Sequence, residues 1–573
     1  MKRRSFIKHV TTGLAAAAML RKNILAQDSN PAAGAPQVIG TKGATVIASD
    51  RTTVVETAAG KVRGFQRKGI YVFKGMPYGA PTNGDARFMP PAKPKAWPGI
   101  QNALRYGPIC PSYDGLMISK DDDRSPVDED AFLLHRGMGS VRIPGEDCLR
   151  ANVWTQEING SHRRPVMVYM HGGGYESGSG HDLLSYDGEN LARDYDVVVV
   201  THNHRLNAFG YLNLAEIGGD KYASSANVGL LDLVALLEWV RDNIASFGGD
   251  AGNVTIFGQS GGGGKVIDLM AMPAAKGLFH RGVVQSGPIL KALMPDYSTK
   301  MAWELLRVLG LGKSQLDELH AVDSERLALA AEKAHTNLSP RSSTKLNRRF
   351  ELGGWGPTVD GLILPRHPFD PDGPSVSADV PLITGTNLHE AVNGVDRPDA
   401  QFMTEAELNS KVQDGCGDQG KDIIAAYRRS YPGASPFDLY ASIAAGQFRI
   451  LAGEQGLRKA AQGAAPAYLY MFSWRTPTLD NRPGSFHACE ISFAFNNAVL
   501  CDQYSCLLPE AIELSKQMSA AWVSFARTGN PNHSGIPHWP AYVADSKSTM
   551  IFDTPCEVRQ DPEGEGLRLI ASS

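Results

Sequence analysis

Residues 253–266 read NVTIFGQSGGGGKV: a β-branched run, one serine, four consecutive glycines and a lysine. Glycine loses more conformational freedom on folding than any other residue, so each glycine here costs about 1 kcal/mol relative to alanine if a helix begins in this run. Something must require that side chains be absent. Two chemistries use such a run: a loop that cradles a phosphate, and a turn that presents a nucleophilic serine.

The phosphate reading fails on spacing. A P-loop is Gly, four residues, then Gly-Lys-Ser/Thr. Counting back from Gly264-Lys265 puts Gln259 at the first glycine position, and Val266 has no hydroxyl for Mg²⁺. The dinucleotide pattern G-x-G-x-x-G fails as well, because Gly261-x-Gly263 leads to Val266. By contrast, Gly258-Gln259-Ser260-Gly261-Gly262 fits G-x-S-x-G between a strand and the helical stretch KVIDLMAM. That is the setting of a nucleophile elbow. Ser260 is then expected in a strained backbone conformation, where a side chain at 258 or 262 would collide with neighbouring elements.

A serine hydroxyl needs a base to take its proton, and the oxyanion that forms needs fixed N–H donors. MHGGGYESGSG (170–180) follows a strand and supplies His171-Gly172-Gly173-Gly174. The backbone N–H groups of Gly173, Gly174 and Gly261 are the expected oxyanion hole. In sheets carrying such an elbow the chain order is Ser, Asp/Glu, His. Three histidines lie in the last hundred residues: His487, His533 and His538. His533 and His538 sit in the turn-rich GNPNHSGIPHWP, whereas His487 enters an apolar run in GSFHACEISFAF and is the expected base. Glu390, just past the buried strand of LITGTNLHEAVNG, is the candidate acid, with Asp360 in TVDG as its rival. His389-Glu390 also opens H-E-x-x-H, but position 393 is Asn and the zinc reading fails.

The surrounding chain has the organisation such a site needs. PVMVYMHGGG (165–174), DVVVVTHNHR (196–205), RGVVQSGP (281–288), VPLITGTN (380–387) and AYLYMFSW (467–474) read, with the opening run, as strands buried on both faces. ANVGLLDLVALLEWVRDNIASFGGD (226–250) carries apolar residues at helical spacing and stops at Gly248-Gly249. Strands alternating with helices predict an α/β fold with a large, mostly parallel central sheet and helices on both faces. Segment 290–375 is more helical and polar, and is expected to insert over the cleft.

Composition narrows the function further. The 573 residues are 42% hydrophobic and 20% charged, with formal net charge -3, which provides no basic footprint for nucleic acid. No apolar run reaches the length of a membrane span. The N-terminus MKRRSFIKHVTTGLAAAAMLRKNILAQ has a basic head, an apolar stretch and a small residue at Ala26. Residues 1–26 are therefore expected to be an export signal of the twin-arginine kind, 27–48 a flexible spacer, and 49–573 the folded domain. The mature protein is expected in the periplasm or secreted. Seven cysteines suit that compartment, and the odd number leaves at least one thiol over in a monomer, the simpler expectation for oligomeric state.

With these residues assembled, the chain resembles the type-B carboxylesterase/cholinesterase family of the α/β-hydrolase superfamily, from about Val54 to Leu569. The resemblance is carried by GEDCLRANVW (145–154), by the long run into the elbow, and by GTNLHEA, FHACEISFAFNN and WVSFARTGNPN. It implies Ser260 as nucleophile, Glu390 as acid in preference to Asp360, and His487 as base. It also implies a disulfide between Cys110 and Cys148, worth roughly 4 kcal/mol in the chain-entropy model. That bond would tether the polar stretch SKDDDRSPVDED (119–130), expected to be a solvated loop. Cys501 and Cys506 are near enough in sequence to pair, while Cys416, Cys489 and Cys556 have no assigned partners. The sequence departs from the family at Gly261, where alanine is usual, and at Asn203-His204, where Asn-Tyr is usual. His204 is expected either in the cleft wall or simply packed. No tryptophan precedes the E-D-C motif, which argues against choline esters. The implied activity is hydrolysis of a small-molecule carboxylic ester through an acyl-enzyme, with no metal or organic cofactor. Amide or lactone hydrolysis by the same triad is the alternative, and a non-catalytic binding module of this fold is a more distant one.

Overall fold

The computed structural model describes residues 45–112, 128–134, 142–338, 353–390 and 392–573. The expected export signal, nearly all of the spacer, and 119–127 of the acidic stretch lie outside these residues.

Strands without in/out alternation belong where helices cover both faces of a sheet, and the six strands predicted from sequence lie there. The large sheet is built from β1 (Val46–Ile47), β2 (Phe65–Arg67), β3 (Ile70–Pro77), β4 (Arg150–Thr155), β5 (Arg164–Met170), β6 (Val198–Asn203), β7 (Gly249–Gln259), β8 (Arg281–Gln285), β9 (Leu382–Asn387), β10 (Ala467–Phe472), β11 (Ser548–Phe552) and β12 (Glu557–Gln560). Their spatial order is β1-β2-β3-β4-β6-β5-β7-β8-β9-β10-β11-β12. The run from β6 to β11 is parallel throughout. The flanks β1 to β4, and β12, are antiparallel. Among these outer strands β1, β2 and β12 are short and half-exposed or exposed, while β3 and β4 are longer but have polar residues or a glycine interrupting their apolar runs. A small second sheet joins Val54–Thr57, Gly60–Arg63 and Ile100–Asn102.

Register delivers the site to one end of the sheet. Gly258 on β7 pairs with Met170 on β5, Gln259 pairs with Gln285 on β8, and Asn387 on β9 pairs with Phe472 on β10. The strands therefore finish together, and the turns after them gather at the carboxyl edge, where α/β sheets bind ligands. The predicted helix over 226–250 is Val228–Asn243, followed by a 3₁₀ turn to Phe247 and closed by Gly248 at φ +74°. Only glycine adopts that left-handed stop without strain. The expected insertion contains helices Pro295–Leu309 and Ser324–Leu338, which pack on each other and bury Leu305, Leu306, Ala330 and Ala331.

Two expectations change. Cys110 and Cys148 are not joined: both are free, buried thiols. The sulfur of Cys110 accepts the Leu206 N–H at 3.2 Å, and its hydrogen bond to Cys148 is the largest cause raising that thiol's pKa. The pair thus sits side by side within a hydrogen-bond network. The last three residues of the stretch expected to be loop, 128–130, open the helix Asp128–Leu134, and Glu129 accepts two 2.7 Å hydrogen bonds from Arg482. Among the described residues no single helix is long and apolar enough to cross a membrane.

One ion pair is sealed inside this framework. Arg205, just after β6, donates to Asp232 of helix Val228–Asn243 at 2.6 and 2.8 Å, and neither side chain reaches solvent. The third guanidinium nitrogen donates to the Met89 carbonyl at 2.8 Å. Removing one charge strands the other in a medium that cannot solvate it. Asp232→Asn is expected to lower the unfolding free energy by about 3–5 kcal/mol, seen as a lower urea midpoint at unchanged slope.

Candidate active site

The four glycines are required by contact. Ser260 has φ +58° and ψ −126°, a region that side-chain-bearing residues rarely occupy, and it links β7 directly to the helix Gly261–Ala271. Strain of this kind persists only where the surroundings fix it. A Cβ at Gly262 would lie 1.9 Å from the Met170 carbonyl oxygen, and one at Gly258 would lie 2.5 Å from the Gly262 carbonyl. At Gly261 it would meet the Gly174 oxygen at 2.3 Å, and at Gly264 the Tyr175 hydroxyl at 2.4 Å. Gly263 is the mildest case, with Gly287 Cα at 3.1 Å. The run is therefore where β5, β7 and β8 bring backbone onto backbone.

The turn after β5 completes this wall. Gly173 and Gly174 have φ +87° and +64°, conformations that favour glycine. The Gly173 carbonyl accepts from Ser177 N at 3.1 Å, which closes the turn. A Cβ on Gly172 would fall 3.6 Å from Ser260 Cβ, so the turn runs directly alongside the serine. Gly173, Gly174, Gly261 and Ser260 line one cleft of about 240 Å³, together with Tyr175, Ile289 and Trp355.

Glu390 and His487 come from the segments that follow the next two strands, β9 and β10. Glu390 follows β9 and is 2% exposed; its Oε1 accepts the Asn387 N–H at 2.7 Å. Its Oε2 lies 2.5 Å from His487 Nδ1, which fixes the ring with Nδ1–H donating to the carboxylate. The amide nitrogen of Gln259, the residue preceding Ser260, lies 3.2 Å from His487 Nε2 and 3.5 Å from Nδ1. It lies against the ring, nearer Nε2 than Nδ1. Phe448 packs edge-on to the same imidazole at 6.2 Å.

Behind this pair stands a second carboxyl that the sequence reading passed over. Glu490 is fully buried and accepts from Asn387 Nδ2 at 2.7 Å. Burial, and then the charge of Glu390, pushes it up to about 7. Asn387 thus touches both carboxyl groups, through its backbone on one and its side chain on the other. Its signal was available, since the motif GTNLHE places Asn three residues before the acid, but only folding shows that two acids share it.

The rival residues have other work. Asp360 Oδ1 accepts the backbone N–H groups of Leu362, Ile363 and Leu364 at 2.8–3.0 Å, and Oδ2 accepts from Asn227 at 2.8 Å, so it closes a turn. His533 holds its own turn, bonding the Gln517 carbonyl at 3.0 Å, and His538 is exposed. His204 is packed: it is buried against His171 and His202 at ring distances of 4.8 and 5.2 Å, beneath the glycine turn. Trp355 and Glu176 reach the cleft without having been foreseen.

Comparison with known proteins fits this geometry. Residues 51–569 match the model of the Carboxylesterase family. The para-nitrobenzyl esterase of Bacillus subtilis is 34% identical over 520 residues, covering 89% of this chain and 97% of its own. The phenmedipham hydrolase of Pseudarthrobacter oxydans is 30% identical over 524 residues, with 89% and 97% coverage. Among solved structures, an esterase from Clostridium hathewayi that hydrolyses aliphatic aromatic polyesters superposes with TM-score 0.76 at 35% identity, covering 92% of this chain and 99% of that one. A Geobacillus stearothermophilus carboxylesterase gives TM-score 0.72 at 32% identity, with 90% and 99% coverage. With an α/β-hydrolase sheet and such relatives along nearly its whole length, the chain belongs to the carboxylesterase family and is a carboxylic-ester hydrolase.

Proposed function

We propose that Ser260, His487 and Glu390 cleave the ester by two-step acyl transfer, with the N–H groups of Gly173, Gly174 and Gly261 as oxyanion donors. The observation that carries this reading is the Glu390–His487 contact held against the residue that precedes Ser260. His487 takes the serine proton as the hydroxyl attacks the carbonyl carbon, and Glu390 stabilises the imidazolium that forms. The C–O bond to the alcohol breaks as His487 returns that proton to the leaving oxygen. Water, deprotonated by the same imidazole, then attacks the acyl-enzyme and regenerates Ser260. Each oxyanion donor contributes about 3–4 kcal/mol to the transition state.

The cleft wall of Tyr175, Ile289 and Trp355 suits an ester bearing an aryl group, in keeping with the aromatic substrates after which the Bacillus and Clostridium relatives are named. The paired Arg3-Arg4 ahead of an apolar stretch supports export of the mature enzyme from the cytoplasm.

Turnover of p-nitrophenyl butyrate is expected, and Ser260→Ala should lower kcat by at least about 10⁴-fold with the fold intact by circular dichroism. Glu390→Gln should cost about 10³–10⁴-fold in kcat, whereas Asp360→Asn leaves kcat unchanged because that carboxylate only closes a turn. Equal losses in the two acid variants would reassign the acid. Export is checked by fractionation: replacing Arg3 and Arg4 together with lysine is expected to retain the precursor in the cytoplasm.

A further inference from the structure

Lys265 belongs to the glycine-rich run, yet neither the elbow nor the triad uses it. It lies on the helix Gly261–Ala271, five residues beyond the nucleophile, with 0% exposure. A buried ammonium is costly unless its donors are met. Lys265 meets them on backbone: Nζ donates to the carbonyl oxygens of His171 and Gly174, each at 2.9 Å. These carbonyls belong to the peptide units on either side of the glycine turn. Between them lie the two peptide units whose N–H groups are those of Gly173 and Gly174. The turn is therefore gripped at both ends, with its donors in the middle.

Gly261 supplies an independent observation. A Cβ there would lie 2.3 Å from the Gly174 oxygen, 2.4 Å from its Cα and 2.6 Å from its carbonyl carbon. The peptide unit that Lys265 holds is the one that forbids a side chain at 261. Gly261 and Lys265 are thus two halves of one arrangement, a turn drawn tightly onto the nucleophile helix. Tyr175 adds a tie, since its hydroxyl donates to Asp268 Oδ2 on the same helix at 2.8 Å. Around the ammonium, His171, His202 and His204 pack ring to ring, and burial holds all three below their ordinary values.

We propose that Lys265 is a positioning residue for ester hydrolysis: by holding the carbonyls of His171 and Gly174 against the nucleophile helix, it aims the N–H groups of Gly173 and Gly174 at the oxyanion and makes glycine obligatory at 261. The inference rests on the reading of Ser260 as nucleophile. Lys265 touches no substrate; it acts through the turn.

Lys265→Met keeps the length of the stem and removes the donors. The expected result is a fall of about 10²-fold in kcat for p-nitrophenyl butyrate, counted per active site from the p-nitrophenol burst with a stoichiometric organophosphate, and little change in KM. Amide hydrogen exchange should accelerate in peptides covering 171–177 and stay unchanged in β7. Gly261→Ala should cost about 10²-fold in kcat alone and far less in the Lys265→Met background, because the released turn moves off the helix. Unchanged kcat and exchange in Lys265→Met would overturn the proposal. So would exchange that rises across the whole sheet, or a Gly261→Ala penalty equal in both backgrounds. Should Lys265→Met fail to fold, Lys265→Gln gives the same reading: exchange faster only at 171–177 supports the grip, and any other pattern overturns it. A wild-type protein without esterase activity would refute the nucleophile assignment, while the exchange comparison would still report on the grip.

Discussion

The site depends on backbone packed against backbone with no side chain between. Adjacent parallel strands run about 4.8 Å apart, and here the segments leaving β5, β7 and β8 turn while still at that spacing. Met170, Gly174 and the Ser260–Gly263 segment consequently crowd one another, to the point that a methyl group at 262 would overlap a carbonyl oxygen. The strain at Ser260 is held by its N–H bond to the Gln285 carbonyl at 2.8 Å and by the Gly264 N–H on its own carbonyl at 3.2 Å. The glycine run thus follows from geometry: its cost in chain entropy is the condition for packing the serine turn against the turn after β5.

The acid–base side is built on a different principle. Glu390 and His487 come from loops nearly a hundred residues apart, and their contact rests on a buried polar group, Asn387, at the end of β9. Two carboxyl groups share that asparagine, and burial together with the charge of Glu390 pushes Glu490 up to about 7. Glu390 accepts from a histidine and a backbone amide, while Glu490 accepts from the side-chain amides of Asn387 and Gln285.

What the sequence revealed divides along the same line. The six central strands, the long helix after β6 and the elbow were legible because local rules specify them: apolar runs, a glycine stop, a motif between strand and helix. That His487 and Glu390 belong together was read from position and chain order, and the two side chains are in contact. The choice between Glu390 and Asp360 was not settled by the residues themselves, since both are acids in loops, and only the hydrogen bonds of Asp360 show it occupied by a turn. Lys265 was read as a phosphate ligand and dismissed with that reading, because a lysine whose partners are main-chain carbonyls ninety residues away leaves no local pattern. The disulfide between Cys110 and Cys148 was implied by the resemblance alone, and the structure holds the two side by side as free, buried thiols.

The antiparallel flanks have a consequence away from the cleft. A wide sheet ends in two rows of open hydrogen-bonding groups, a standing invitation to stack with other chains. Here one margin is β1, only two residues long, and the other is β12, whose sequence Glu-Val-Arg-Gln is charged and largely exposed. Neither margin offers a flat apolar template. The sheet can be broad enough to carry its catalytic edge and still resist growing into fibres.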